Sequence, residues 1–360
     1  MSRPPGLVLA VVLALAAAPR TPAGAQSVGE IADQVLLQAA SQGRRDIAAA
    51  ALERGADIDT RDSEYGDTPI IIAARAGHGE VVGLLSDRGA DLDAASPDGW
   101  TALMQAAHQG HQDIAARLIA AGANLASRER RYGNTALLLA AGKGHTGIVS
   151  RLIEAGADPN QADLKTGNTA LILAARDAGR VETVAELLSR GADPRIAAKD
   201  GWTPLMAAAE VGGTGIVQLL LAEGAPVDAR AASGETALGR AAGSGHVEAL
   251  LVLIAGGADV DGPARDDLTA LIIAARNGQV EALRALIRHG AQVDLPDRRD
   301  GNTALMYAAN RGQVEAVALL IEADADVNLV AKDGWTALAA AEMISADDIA
   351  AMLKAAGARP

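Results

Sequence analysis

The sequence contains no cysteine and no phenylalanine, and aromatic residues of any kind make up only 2% of its 360 residues. The absence of Cys excludes a disulfide framework, a thiolate metal site and a cysteine nucleophile. Hydrophobic residues nevertheless make up 49% of the chain, which excludes a disordered protein. Since large rings fill most domain cores, this core must consist of Ala, Leu, Ile and Val. Such small side chains favour closely stacked helices in a repeat architecture.

The first 25 residues differ from the rest and have the three parts of a secretion signal. Arg3 precedes an apolar run over residues 7–18, and Ala23-Gly24-Ala25 precedes Gln26. Twelve residues rise about 18 Å as a helix, well short of the ~30 Å hydrocarbon core of a bilayer. The pattern therefore predicts a cleavable signal peptide over 1–25, with an uncleaved anchor as the alternative.

Removal of residues 1–25 would take away two arginines and no acidic residue, which leaves a net charge of −15. We expect the mature protein to be exported, to a bacterial periplasm or, alternatively, outside the cell. The negative charge disfavours nucleic acid and adsorption to anionic membranes. No other apolar run is long enough to span, so no membrane insertion is expected after cleavage.

A period of 33 or 34 residues covers the chain after the signal. Thr-(Pro/Ala)-(Leu/Ile) recurs at Thr68, Thr101, Thr135, Thr169, Thr203, Thr236, Thr269, Thr303 and Thr336. Thr can cap a helix N-terminus, and apolar residues then recur at helical spacing. A Gly nine residues after most of these threonines predicts a turn, displaced to Gly179 in one unit. A second helix follows and ends at Gly-Ala-(Asp/Asn), where Asp324 alone replaces Gly. A polar, hairpin-like loop closes each unit.

These motifs resemble the ankyrin repeat family. The family's TPLHxAA, GH-x-E-V-V and GAD motifs stand here as TPIIIAA, GHGEVV and GAD in the second unit, although the family's His after TPL is replaced throughout. The resemblance implies an all-α ankyrin-repeat α-solenoid of about ten helix-turn-helix units joined by β-hairpin-like loops. It predicts a degenerate N-terminal capping repeat over 27–67 and a C-terminal capping repeat over 336–360, with Ser345 and Asp348 capping the last helix. Between them it places eight repeats at 68–100, 101–134, 135–168, 169–202, 203–235, 236–268, 269–302 and 303–335.

Catalysis has little support in the sequence. There is no HExxH, G-x-S-x-G or Walker motif. Four of the six histidines (His78, His111, His145 and His246) share one turn position that is structural in the resembled family. Gly212-Gly213-Thr214-Gly215 follows a helix and lacks a Lys, so it is a turn and not a phosphate loop. We expect no enzyme activity, no cofactor and no metal.

Partner binding has more support, because the resemblance places partners on the hairpin tips and the ends of the inner helices. Five of the six aromatic residues lie on hairpins, and Trp and Tyr are enriched at interface hot spots. The aromatic candidates are Tyr65, Trp100, Tyr132, Trp202 and Trp335 on hairpins and Tyr307 on an inner helix. The alternative is that each Trp merely packs on the adjacent hairpin.

Basic residues form a second group of candidates. Arg75, Lys143, Arg176, Arg276 and Arg311 end the inner helices, and Arg130, Arg131, Lys165, Lys199, Arg298, Arg299 and Lys332 lie on hairpins. A basic groove in an acidic protein would favour a partner with an anionic segment. The sequence thus predicts an exported, monomeric, non-enzymatic protein that binds a protein partner. A glycan or other anionic polymer of the cell envelope is one alternative ligand, and secretion to act on host proteins is another role.

Overall fold

The structure of the protein is a computed structural model that describes residues 27–359. The predicted signal peptide and its cleavage point before Gln26 lie outside the described residues. The chain divides between Ala136 and Leu137 into an N-terminal and a C-terminal compact unit.

The described residues form twenty α-helices that alternate between the inner and the outer helix of each repeat. The inner helices are α1 (Val28–Gln42), α3 (Pro69–Ala76), α5 (Ala102–Gln109), α7 (Ala136–Lys143), α9 (Ala170–Ala175), α11 (Pro204–Glu210), α13 (Ala237–Ser244), α15 (Ala270–Arg276), α17 (Ala304–Asn310) and α19 (Ala337–Met343). The outer helices are α2 (Arg45–Glu53), α4 (Gly79–Asp87), α6 (Gln112–Ala120), α8 (Thr146–Glu154), α10 (Val181–Ser189), α12 (Thr214–Ala222), α14 (Val247–Ala255), α16 (Val280–Arg288), α18 (Val314–Glu322) and α20 (Asp347–Ala355). Ten helix pairs confirm the predicted all-α repeat architecture.

Each unit is built by stacking these pairs. In the N-terminal unit, α3 packs between α1 and α5, and α4 packs between α2 and α6. In the C-terminal unit, the inner helices from α9 to α19 and the outer helices from α8 to α20 pack in chain order. Leu36, Ile71, Leu152 and Leu171 are among the fully buried side chains. As expected from the composition, the core is aliphatic, and alanines let the helices approach closely.

The predicted threonine caps are present in most repeats. In seven repeats the Thr hydroxyl accepts a hydrogen bond from the backbone N–H three residues on, as Thr101 does from Met104 at 3.3 Å. At Thr68 the hydroxyl is buried and makes no hydrogen bond. The first helix is capped differently, because Ser27 and Glu30 form a reciprocal capping box.

In nine of the ten repeats the turn between inner and outer helix contains a left-handed residue, and the prediction that Ser345 caps the last helix was wrong. The exception is the turn between α9 and α10, where Gly179 lies in the turn as predicted but does not have a positive φ; its N–H is instead held by the Asp177 carboxylate at 3.0 Å. In the last repeat Ser345, with φ +56°, takes the left-handed position itself, so it does not cap α20, whose N-cap is Ala346. A second left-handed position follows each outer helix. After α18 it is occupied by Asp324, with φ +62°, where the other repeats have Gly.

A ladder of side-chain hydrogen bonds joins consecutive repeats on the outer-helix side. The Asp of the Gly-Ala-Asp motif holds its own turn, as predicted: Asp91 accepts from the N–H of Asp93 at 3.0 Å. The residue two positions later then reaches the next repeat, since Asp93 accepts from the N–H of Asn124 at 2.8 Å. Ala126 and Arg195 stand at the acceptor position without a side-chain acceptor; the residue that faces Arg195 is Pro226, which has no N–H to donate.

Candidate interaction surface

The loops between repeats come in two lengths, and neither contains a β-strand. Within residues 27–359 the loops form only two isolated bridges, Ala162 with Thr169 and Pro263 with Thr269, so the expected hairpins are turns in which a backbone hydrogen bond joins the first residue to the last. In the long loops this bond joins residues five apart: 62–67, 129–134, 163–168 and 297–302. In the short loops it joins residues four apart: 96–100, 198–202, 231–235, 264–268 and 331–335.

Each long loop is organised around a carboxylate at its first residue. Asp163 is buried and accepts hydrogen bonds from the N–H groups of Lys165 at 2.9 Å, Thr166 at 2.5 Å and Asn168 at 2.9 Å. Glu129 holds the loop 129–134 in the same way, and Asp62 and Asp297 hold the other two. One carboxylate thus satisfies several buried donors that would otherwise lack partners.

The environments of two buried acids in these loops shift their pKa values in opposite directions. Burial alone would raise the pKa of Asp163, but the hydrogen bonds from Thr166, Asn168 and Gly167 outweigh it and lower that pKa below its ordinary value. At Asp67 burial dominates and raises the pKa, even though the Arg75 guanidinium contacts the carboxylate.

The three Trp residues end short loops and are half-buried, with different neighbours. Trp100 packs edge-on against His108, with ring centroids 5.4 Å apart. The guanidinium of Arg240 lies over the Trp202 ring, 4.6 Å from its centroid. Trp335 has no aromatic or guanidinium neighbour of this kind among the described residues. Packing partners therefore exist for two of the three rings.

The tyrosines take two kinds of position. Tyr65 and Tyr132 are exposed at the tips of long loops, beneath the guanidinium groups of Arg75 and Arg131 respectively. Tyr307 instead lies half-buried on α17, where its hydroxyl donates to Asp297 at 3.4 Å. Burial, and then the Asp297 charge, raise the pKa of Tyr307. The aromatic candidates therefore do not form one continuous patch.

Several of the predicted basic residues are engaged within the chain. Arg75 pairs with Asp67, and Arg176 donates to the Asn168 amide oxygen at 3.1 Å. The ammonium group of Lys199 donates to a backbone carbonyl of the preceding loop at 2.5 Å, and Lys332 donates to two such carbonyls. The exposed Lys165 lies at a long-loop tip, and Arg299 lies 3.9 Å from Asp300. Within residues 27–359, no side-chain hydrogen bond or ion pair involves Lys143, Arg130, Arg276, Arg298 or Arg311.

Sequence reasoning missed a cleft in the C-terminal unit, between α13 and α15. It measures about 220 Å³ and is lined by Arg240, Arg265 and Arg276, together with Glu235, of which only Arg276 was predicted. A signal was present in the sequence, because Arg240 stands four residues after its Thr, where the other eight repeats have uncharged residues.

The shared histidines are structural in the repeats where their contacts are described. The Nε2 atoms of His78, His111 and His246 lie 3.1–3.3 Å from a backbone carbonyl of the preceding repeat. Among residues 27–359 no group of three or more His, Asp or Glu side chains is arranged to hold a metal ion. Over the same residues no helix combines the length and apolar character needed to cross a bilayer.

These features are those of a known repeat family. A model of ankyrin repeats in three copies matches residues 36–129, 118–198, 177–264 and 271–360. The chain belongs to the ankyrin repeat family. It is similar to the crystal structure of the human ASB11 ankyrin repeat domain, with 26% identity and a TM-score of 0.56 over 63% of this chain and 100% of that one. None of the curated proteins matches the chain in sequence. Ankyrin repeats are generally non-enzymatic protein-interaction scaffolds.

Proposed function

We propose that this ankyrin-repeat chain is an exported, non-enzymatic protein that binds a protein partner through its interrepeat loops and the adjacent ends of its inner helices. The observation that carries the proposal is the exposure of large apolar side chains on loops. Leu164 is 63% exposed, Val330 62% and Tyr65 56%. Burial of these side chains against a partner would be favourable, because it removes apolar surface from water.

The loops that present these side chains are held in place before any partner binds. The tip of the loop 163–168 is fixed by the buried Asp163 carboxylate, and Lys199 donates both its backbone N–H and its ammonium group to this loop. Ordering side chains and loops on binding costs free energy, so a preformed tip supports tighter association. This supports recognition with little rearrangement of the loops.

The interaction is tested by capturing partners from the native compartment and repeating the binding with purified protein. Leu164→Ser and Val330→Ser should each weaken the binding of the captured partner. Leu251→Ser is the matched control, because Leu251 is also exposed but lies on the outer helix α14. Equal binding by all three variants would contradict the proposed surface.

Export is tested independently by the mass of the secreted protein. We expect the mature chain to begin at Gln26, from the Ala23-Gly24-Ala25 pattern. An exported protein that kept residues 1–25 would show that the signal is not cleaved there.

A further inference from the structure

Several residues that line the cleft between α13 and α15 differ from the residues at the same positions of the other repeats. Gly239 replaces an apolar side chain found in the same place in eight repeats, and Gly243 lies one turn further on. A Cβ at Gly239 would come within 2.6 Å of the Ala264 side chain, and one at Gly243 within 2.9 Å of Ile273. The glycines thus let the next repeat approach closely and contribute no side chain to the cleft.

Three guanidinium groups line this cleft, and their hydrogen-bonding capacity is unused. Each guanidinium carries five N–H donors, yet within residues 27–359 none of the three donates a hydrogen bond. The Nε atom of Arg240 is buried without any partner, an arrangement that costs free energy. Arg276 has no carboxylate within ion-pair distance among the same residues.

The charges in and around the cleft favour a single carboxylate over a more highly charged anion. Glu235, with 10% of its side chain exposed, lies 3.3 Å from Arg240 and 3.6 Å from Arg265. The lining therefore carries three positive charges and one negative charge. Glu210 and Asp266, outside the lining, lie 3.6 Å from Arg240 and 3.4 Å from Arg265, and they weaken the attraction for a dianion such as phosphate.

We propose that this cleft binds an Asp or Glu side chain of the protein partner, recognised by Arg240, Arg265 and Arg276. Guanidinium groups match the planar carboxylate and can donate to it in pairs. The proposal rests on the proposed function, because it names the chemistry of one contact that the partner makes. The sequence predicts a partner with an anionic segment, and the proposal assigns the binding of that segment to this cleft.

The test uses the full mature chain and a capped peptide, acetyl-Gly-Glu-Gly-amide, with acetyl-Gly-Gln-Gly-amide as its neutral counterpart. We expect the NMR signals of the Nε–H groups of Arg240, Arg265 and Arg276 to shift with the Glu peptide and not with the Gln peptide. Arg276→Gln should weaken binding at least tenfold, and within residues 27–359 it removes no side-chain hydrogen bond or ion pair. Arg288→Gln, an exposed position on α16, should bind as the wild type does.

Three results would overturn the assignment: no shift with the Glu peptide, equal shifts with both peptides, or equal weakening by Arg288→Gln. Tighter binding of inorganic phosphate than of the Glu peptide would replace the carboxylate by a phosphate ligand and so also overturn it. The captured partner separates this inference from the proposed function. If Arg276→Gln binds that partner normally, the cleft assignment fails while the interaction stands. If no partner is captured, the proposed function fails, while the peptide result still decides what the cleft binds.

Discussion

The long and the short loops both connect consecutive repeats, but different hydrogen bonds hold them in place. A long loop such as 163–168 is organised by the buried carboxylate of its first residue, which accepts hydrogen bonds from its own backbone. A short loop such as 198–202 begins with a small residue and is closed by two backbone hydrogen bonds, from the N–H of Ala198 to the carbonyl of Trp202 and from the N–H of Gly201 to the carbonyl of Ala198. The extra residue of a long loop therefore comes with a side chain that compensates for its additional backbone donors.

This difference explains the alternation of the repeat period and the distribution of aromatic residues. Three 34-residue periods end in the long loops 129–134, 163–168 and 297–302, whereas the 33-residue periods end in short loops. The remaining 34-residue period has its extra residue between α9 and α10. Trp occurs only at the end of short loops, where a side chain of the loop accepts just one backbone N–H, that of the Trp itself: Ser96 accepts from Trp100, Asp200 from Trp202 and Asp333 from Trp335.

The largest expected effect comes from removing the carboxylate that holds a long loop. Asp163→Ala leaves several backbone N–H groups of the loop without acceptors. Since a hydrogen bond to a charged group contributes about 1.5–3 kcal/mol, we expect about 3 kcal/mol of destabilisation in urea unfolding. Asp200→Ala is the short-loop control, because the exposed Asp200 carboxylate accepts only the N–H of Trp202. Equal losses in both variants would show that the two loop types are not stabilised differently.

The second prediction compares two short loops through their Trp residues. Trp202→Ala should weaken partner binding by about 2 kcal/mol, as truncation at an interface hot spot does. It should also lower stability by about 1 kcal/mol, since the ring loses its contact with the Arg240 guanidinium. Trp335→Ala, without such a contact, should lower stability less. Melting and affinity are measured on the same samples; if Trp202→Ala melts several degrees lower yet binds normally while folded, its ring serves packing alone.

Most of the fold could be predicted from the sequence, because the repeat shows nine times which positions are equivalent. The Thr caps, the helix pairs and the turn-holding Asp91 all follow from residues that recur at one period. Where one repeat deviates alone, the period gives no guidance. Gly179 was expected at the turn of its repeat, but the period does not show that one inserted residue lets the Asp177 carboxylate hold that turn.

The candidate site was less predictable, because it depends on which side chains meet across loops. The engagement of Lys199 with a carbonyl 35 residues away cannot be read from either residue alone. The cleft between α13 and α15 was missed for the opposite reason. Gly239 and Arg240 depart from the repeat singly, and only folding shows that they line one cleft with Arg265 and Arg276.

The third prediction sharpens the comparison within the short loops. Asp267 has φ +61° where the other short loops have Gly, a conformation that costs a non-glycine residue on the order of 1 kcal/mol. Asp267→Gly should therefore raise the free energy of unfolding by about 1 kcal/mol. Gly334→Asp is the reciprocal change, since Gly334 has φ +88° and nothing lies within 4 Å of a Cβ built there. It should lower stability by a similar amount, and opposite signs in the two variants would confirm that backbone strain is the cause.

The smallest expected effect on stability at pH 7 comes from Asp67, in a comparison of two long loops. Asp67, the last residue of the loop 62–67, contacts Arg75. The equivalent residue of the loop 163–168 is Asn168, whose amide oxygen accepts a hydrogen bond from Arg176, the equivalent of Arg75. Asp67→Asn should therefore keep the contact with Arg75 and change stability at pH 7 by less than about 1 kcal/mol.

Its pH dependence follows from the direction of the pKa shift. Because burial raises the pKa of Asp67, the folded protein binds a proton at this carboxylate more readily than the unfolded chain does. Protonation of Asp67 therefore increases the free energy of unfolding as the pH falls through the pKa of the folded state. Asp67→Asn lacks that gain, so its stability relative to the wild type should decline between neutral pH and about pH 4, near the pKa of an unfolded Asp. The lowered pKa of Asp163 acts in the opposite sense, since its contribution is lost as the pH falls below the unfolded value. Urea unfolding of Asp67→Asn and of the wild type across this range measures the difference directly, because Asp163 titrates in both. A difference that stays constant with pH would show that Asp67 keeps its ordinary pKa, because its pair with Arg75 offsets its burial.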